Sequence, residues 1–456
     1  LPISLKTSSA FAEAVAECTP EWAEKITGVP AADIEEAAKI YGSAERAAIY
    51  YTMGITQHTS GTDNVRALAN LALMTGNLGK RGAGLNPLRG QNNVQGASDM
   101  GCVPMFLPGY QRVDDDATRK RFEELWGRSL SSSPGLTATE MTEAMIDGSI
   151  EAMWVMGENP VMSDPNSSHA RKAFESVKFL VVQDIFLTET ARLADVVLPA
   201  ASFAEKEGTF TNTERRVQRV RRAVMPPKSA LDDLSIIQLI SGRMDYGQDV
   251  MPGSAFHPDR YKTLAAKAEE VFNEIGKAWP ALAGIDYNRL KDSGIQWPCP
   301  AEDHPGTPIL FEDGFPRGLA QFTPVSWKGS DERPDDEYPF ILTTGRVLYQ
   351  YHTGTMTRRS QVIENADSGP FIEMNTGDAE RLQINNGERV SVASRRGSIT
   401  LPTLVTDGIS PGVTFIPFHY WEASANLLTN DAVDPHSKIP EAKVCAVRID
   451  AVGKNS

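Results

Sequence analysis

The sequence holds only four cysteines, Cys18, Cys102, Cys299 and Cys445, and no two stand close enough to form a CxxC pair. That spacing argues against an iron–sulfur cluster set or a structural zinc site within this stretch. The expectation is reduced, mostly packed thiols in a cytoplasmic protein. No apolar run reaches about 20 residues, the length a membrane-spanning helix needs, and no signal peptide is visible. Positive charge is also scarce: 45 lysines and arginines stand against 59 aspartates and glutamates, for a formal net charge of -14. A nonspecific nucleic-acid binder needs a positive surface, so no nucleic-acid partner is expected, although a local basic patch can still hold a phosphate. No Gly-rich dinucleotide fingerprint follows a strand, and "TGNLGKRGAG" fails the G-x-x-x-x-G-K-[ST] order. An initial methionine is missing too. Leu1 comes first, which leaves open a processed chain, a truncated one, or the second piece of a longer polypeptide.

What is present is a chain of 456 residues, 41% hydrophobic and 23% charged. That is the balance of a globular protein, and the length exceeds one ordinary core, so two to four domains are expected. Pro30 to Tyr41 reads as a helix stopped by Gly42, and "AAIYYTMG" as a buried strand entering a loop. "GTDNVRALANLALMTGNLG" reads as a second helix capped by Thr62 or Asp63. Lys80 to Gly101 has no period and reads as a long loop, ordered or not. From Thr137 onward short apolar strands, "AMWVMG", "KFLVVQDI" and "DVVLPA", alternate with helices, "TEMTEAMIDG", "SHARKAFES" and "TETARLA". Such alternation predicts a parallel sheet covered on both faces, with ligands beyond the carboxyl ends of its strands. Gly294 to Asp336 is Pro-, Gly- and charge-rich and reads as linker. Glu388 to Phe418 has period-two chain broken by turns, the pattern of a β-rich, barrel-like domain.

Five runs, in order, carry a resemblance: "MGITQHTSGTDNVRALANLALMTGNLGKRGAGLNPLRGQNNVQGASDMG", "MGENPVMSDPN", "VVQDIFLTETARLADVVLPAASFAEKEGTFTNTERRVQ", "HTGTMTRRS" and "ANLLTNDAVDPHSKIPEAKVCAV". Together they resemble the bis-pterin molybdenum and tungsten oxidoreductases, and within them the catalytic (alpha) subunit of formate dehydrogenase. The resemblance implies an α/β protein, with parallel-sheet domains of the molybdopterin oxidoreductase fold followed by a C-terminal β-barrel-like domain. The implied division is 1–91, the C-terminal part of an α/β cofactor-binding domain; 92–203, an α/β cofactor-binding domain with a return segment near 233–254; 204–334, a mixed cluster-side domain and linker; and 335–456, a barrel-like domain binding the pterin dinucleotide. It also implies that a preceding segment with four cysteines for a [4Fe–4S] cluster, and a Cys-His or selenocysteine-His pair for the metal, lie outside this sequence.

Residue by residue, the resemblance makes Arg89, in "LRGQNNVQG", the group that holds the substrate carboxylate. A guanidinium stays charged and presents a planar fork of donors, and formate offers little else to grip. Without the resemblance Arg89 would read as a surface arginine in a Gly-rich loop. Met53, Gln57 and Gln91 match cofactor-contacting positions; amides donate and accept, which suits a pterin edge, although loop-stabilising hydrogen bonds explain them as well. His58 reads as a structural histidine. Gly157, Asn159 and Ser163 occupy one strand-to-loop junction and Gln183 and Asp184 the next, where an acidic acceptor can read a guanine edge; Ala200 and Asp233 match later contacts. The alternative for this group is ordinary loop chemistry. In the last domain Arg346, Gln350, His352, Thr353, Asn426 and Lys443 match a contact run, with Arg346 a natural pyrophosphate partner and Lys443 open to being a solvated charge. Arg395 and Arg396 read as a solvated basic turn, and Cys445 as packed. No metal ligand is expected among these residues.

The implied activity is two-electron oxidation of formate to carbon dioxide, reversal left open, at a molybdenum or tungsten bis-molybdopterin guanine dinucleotide. The implied partners are formate or carbon dioxide, the N-terminal half of the subunit, and iron–sulfur or flavin/NAD electron-transfer subunits, with no direct membrane insertion. The alternatives are another bis-pterin enzyme such as a nitrate reductase, or a cofactor-free structural relative.

Overall fold

The computed structural model describes residues 8–227, 229–244, 264–367 and 369–452, and the chain divides into two units. The first comprises the chain through Gly90 with 307–331 and 433–439. Helix α1 spans Ser8–Val15, α2 Pro20–Thr27 and α3 Ala31–Ser43. Gly42 therefore lies inside α3 instead of ending it; a helix interior tolerates one glycine at about 1 kcal/mol. Strand β1 (Ala48–Tyr51) pairs in parallel with β2 (Gly84–Pro87), so the run predicted as a loop contributes a strand. Helix α4 (Met53–Thr56) follows β1, and α5 runs Gly61–Met74. The α4–α5 junction is so tight that a Cβ at Gly61 would meet the Thr56 carbonyl oxygen at 2.1 Å. Thr62 and Asp63 sit in the first turn of α5 and not at its cap. Thr62 instead donates from its N–H and hydroxyl to Asp434, at 3.0 and 2.7 Å.

The second unit holds 91–306, 332–432 and 440 onward. Helix α6 (Val94–Asp99) starts it, again inside the predicted loop. A two-residue pair, β3 (Phe106–Leu107) with β4 (Gln111–Arg112), leads to α7 (Asp116–Trp126) and α8 (Ala138–Ile146), the latter opened by a Thr137–Glu140 capping box. Strands β5 (Ala152–Met156), β6 (Phe179–Asp184) and β7 (Val196–Pro199) form a parallel sheet in that order, with Val155, Val182 and Val197 in register. Short α9 (Pro160–Ser163) and α10 (Ser167–Ser176) connect β5 to β6; a 3-10 turn at Ala191–Leu193 replaces the helix expected before β7. Val155, Leu180 and Val182 pack on Met145, Val161, Ala173 and Phe174, which buries one face of the sheet under helices, while Trp154, Met156 and Phe179 stay exposed where cover on both faces was expected. Hairpin β8 (Gly208–Thr211) and β9 (Arg216–Val220) adds β10 (Ile295–Gln296), and α11 (Asp233–Arg243) returns to the parallel sheet. Positions 245–254 of the expected return segment lie outside the described residues.

The chain ends in a closed barrel ordered β11 (Phe340–Gly345), β15 (Val413–Pro417), β12 (Ile372–Met374), β14 (Ser398–Val405), β13 (Arg389–Ala393) and β16 (Cys445–Ala451), which pairs back onto β11. Alternate residues, among them Leu342, Val390, Val392, Leu401, Ile416 and Val447, fill its core. This is the period-two pattern read from the sequence. Cys445 is wholly buried, and burial pushes its thiol up to about 12. Cys299 is buried as well, whereas Cys18 and Cys102 are exposed, so the thiols divide evenly where most were expected to be packed.

Candidate functional site

The carboxyl ends of β5, β6 and β7 open into a cavity of about 740 Å³ within the second unit. That is the size of a site for a drug-sized or nucleotide-sized ligand. Ten of the expected contact residues line it: Gln91, Gly157, Asn159, Ser163, Gln183, Asp184, Ala200, Asp233, His352 and Thr353. They come from six stretches of chain, several of them brought together because a parallel sheet directs all its strand ends the same way.

At the end of β5, Gly157 turns the chain with φ 66° and donates its N–H to the Gln183 carbonyl at 2.8 Å. A Cβ there would meet nothing within 4 Å, so glycine serves the left-handed backbone and not a close approach. Asn159 accepts through its oxygen from the N–H and hydroxyl of Thr190, and its amide donates to Glu189. It fixes the loop before β7. At the end of β6, the Asp184 carboxylate accepts from the Ile185 N–H, yet burial still raises its pKa. Gln183 is wholly buried; its amide donates to Asp233 at 2.7 Å, while its Oε1 has no hydrogen-bond partner among the described residues. Asp233 reaches this point because Leu231 bridges to Ala200 at the sheet's end. Lys206 pairs with the other Asp233 oxygen.

The opposite wall is the loop from Tyr351 to Met356. The Tyr351 hydroxyl donates to Asn92 at 3.1 Å, and Asn93 accepts from the Thr211 N–H at 3.0 Å, which ties the Gln91–Asn93 segment between two elements. His352 has φ 52°, and burial, then Arg346 and His419, lower its pKa to about 4, so the imidazole is neutral. His419 is wholly buried; it pairs with the His352 carbonyl through Nδ1 and accepts from the Val347 N–H at 3.0 Å. The ring thus clasps both ends of 347–352.

Four expected contacts in this unit lie off the cavity. Gln350 is spent on Glu364, Asp367 and Thr357, and Asn426 donates to the carbonyls of Met162 and Ser163. Both brace walls. Lys443 is not a solvated charge: its amine donates to the Thr344 carbonyl, and burial, then Arg346, lower its pKa to about 8. Exposed Arg346 therefore stands near the Lys443 ammonium and the neutral His352 imidazole, and an anion would relieve the repulsion between the two cations.

In the first unit, Met53 and Gln57 follow β1 and Arg89 follows β2, so all three lie just past the carboxyl ends of the parallel pair. Arg89 is exposed and acts electrostatically on half-buried Tyr51. His58 bonds through Nε2 to the Gly54 carbonyl at 2.9 Å, a structural contact.

Sequence reasoning missed Glu158, Asp164, Lys206 and His419. The first three lie in runs singled out above, and their positions after strand ends were the available signal. Burial, then Glu158, push the Asp164 carboxyl up to about 7, although the Ser163 hydroxyl opposes this. Nothing local marked His419. Among the described residues no group of three or more His, Cys, Asp or Glu side chains is placed to hold a metal ion, and no helix is long and apolar enough to cross a membrane.

Residues 22–243 match the family model for molybdopterin oxidoreductases, and residues 340–446 that for the molydopterin dinucleotide binding domain. The chain belongs to the molybdopterin oxidoreductase superfamily. It is 53% identical over 442 residues to the F420-dependent formate dehydrogenase subunit alpha of Methanocaldococcus jannaschii, covering 96% of this chain and 63% of that protein. It is 40% identical over 441 residues to formate dehydrogenase H of Escherichia coli, covering 95% and 60%. The chain thus spans less than two thirds of these relatives' length. Among solved structures, acetylene hydratase from Pelobacter acetylenicus superposes with a TM-score of 0.72 at 17% identity, covering 98% of this chain and 66% of that one, a likeness of fold.

Proposed function

We propose that this chain is the larger part of a formate dehydrogenase catalytic subunit, binding a bis-molybdopterin guanine dinucleotide with molybdenum or tungsten. The observation that carries the cofactor reading is the cavity at the ends of β5, β6 and β7, where ten expected contacts converge and one buried acceptor, Gln183 Oε1, has no partner. An unmatched buried acceptor costs about 1–3 kcal/mol, which an arriving N–H donor recovers. The residues present fit a nucleotide: Gln183 and Asp184 supply acceptors in the cavity, and Arg346 and Lys443 supply cations outside its lining. When bound, the group supplies the two-electron redox chemistry that side chains cannot.

The chain's own part is to bind, orient and insulate. Arg89 holds the formate carboxylate, and Met53, Gln57 and Gln91 contact the pterin side. Asn159, Gln350 and Asn426 keep the walls in place. Formate gives carbon dioxide, one proton and two electrons, or the reverse. An N-terminal part would hold the [4Fe–4S] cluster, which would supply the one-electron path to an electron-transfer subunit with iron–sulfur or flavin/NAD centres. The F420-dependent relatives support F420 as the final acceptor. The four-part division given above belongs to the same reading, supported by all barrel strands falling beyond residue 335. Four free thiols suit a reducing, cytoplasmic compartment.

The test is to purify the complete subunit with its partner and measure metal, released guanine nucleotide and formate-dependent F420 reduction on one sample. Molybdenum or tungsten with two guanine nucleotides per metal and formate turnover support the reading. Loaded cofactor with no formate turnover overturns the substrate; no pterin and no metal overturns the cofactor.

A further inference from the structure

The side-chain amide of Gln183 has two possible orientations, and its neighbours permit only one. Asp233 offers a carboxylate oxygen 2.7 Å from one end of the amide. A carboxylate only accepts, so that end must be the N–H end. The oxygen end is then turned away from Asp233, buried, and without a partner, in a residue that lines the cavity. Lys206 occupies the second Asp233 oxygen and holds the carboxylate in place. Asp233 also opens α11, where the helix N-terminus favours negative charge. None of these groups contributes a metal ligand, and Lys206 has no role in the scheme above.

We propose that the Lys206–Asp233 ion pair is an orientation lock on the Gln183 amide, so that the site selects a heterocycle presenting N–H donors. The inference rests on the dinucleotide reading of this cavity and adds the device that sets its selectivity. With Gln183 Oε1 held as an acceptor in the cavity that the Asp184 carboxylate also lines, an edge carrying adjacent N–H donors is matched. An edge that places an acceptor there meets a second acceptor. If the lock is released, the amide can turn over, and its N–H end accommodates the wrong edge. Lys206 and Asp233 are thus positioning residues, and Gln183 makes the contact.

The experiment uses the whole catalytic subunit, freed of cofactor, and titrates guanosine 5′-diphosphate and adenosine 5′-diphosphate by calorimetry. Guanine presents two adjacent donors; adenine presents an acceptor beside one donor. The expected result is a guanine preference that falls on the order of tenfold in Lys206→Met and in Asp233→Asn, and is retained in Lys206→Arg. Circular dichroism identifies variants that stay folded, and either loss variant suffices. Unchanged preference in a folded Lys206→Met or Asp233→Asn chain overturns the lock while leaving the dinucleotide reading standing. Equal binding of both nucleotides by the wild-type chain does the same. Binding of neither overturns both.

Discussion

Arg396 grips the Glu332 carboxylate with both guanidinium nitrogens, Nη1 to Oε2 at 2.6 Å and Nη2 to Oε1 at 2.9 Å. The side chains are only 14% and 12% exposed. The sequence suggested a solvated basic turn here, and the structure instead ties the β13–β14 turn to the chain entering the barrel. Arg396 also donates to the Leu428 carbonyl, and Arg395 adds a second cation to Glu332. Burial pushes the Glu332 carboxyl up, and hydrogen bonds from Arg396 and the Ala446 N–H more than reverse this, so it stays below its ordinary range.

Arg396→Met should therefore destabilise the barrel by about 3 kcal/mol, because it leaves a largely buried carboxylate with only the exposed Arg395 and the Ala446 N–H to offset its charge. Urea unfolding followed by circular dichroism measures it. A loss below about 0.5 kcal/mol would return Arg396 to the status of a surface charge.

Asn426 supplies both amide hydrogens to carbonyls of the α9 turn, at 2.9 and 3.0 Å, from a buried position. Asn426→Ala should cost roughly 1–3 kcal/mol, since two carbonyls lose their donor. Asn426→Asp should cost more, because an acceptor would face two acceptors. An aspartate variant as stable as wild type would refute the bracing role.

Asp164 gives a pH dependence with a definite sign. Its carboxyl titrates at about 7 in the fold against 3.8 ordinarily, so between those values the folded chain holds the extra proton. Stability contributed by this group is full below the lower value and is lost as pH rises toward the higher one. Asp164→Asn removes that dependence. The variant should gain on wild type from about pH 4 to about pH 7 and run parallel to it above. Unfolding midpoints across that range decide the matter; a constant difference contradicts it.

Arg89→Lys in the complete enzyme should lower kcat/KM for formate about 100-fold or more, since a point charge replaces a planar fork. Cofactor content should be unchanged. Loss of cofactor in parallel with activity would assign Arg89 to cofactor retention instead.

Most of the architecture was legible because burial writes itself into period. The apolar runs at β5, β6 and β7 and the alternation at β13 to β15 reflect sheets covered on one or both faces. Helix limits were less legible. Gly42 looked like a stop, but a single glycine is a weak breaker where the helix continues to Ser43. Lys80 to Gly101 looked structureless because β2 and α6 are short elements held by partners distant in sequence, such as β1 for β2.

By itself the sequence determined the α/β-to-barrel order, the superfamily, and which loops follow strand ends, since these depend on local pattern and on residue types kept in a fixed order. Only the tertiary structure decided what each candidate side chain does. Gln350 and Asn426 carry the same amide as Gln183, yet two of them brace walls and one leaves an acceptor unmatched beside the cavity. The physical reason is that hydrogen-bonding capacity belongs to the residue, whereas its use depends on which donors and acceptors the fold brings within about 3 Å.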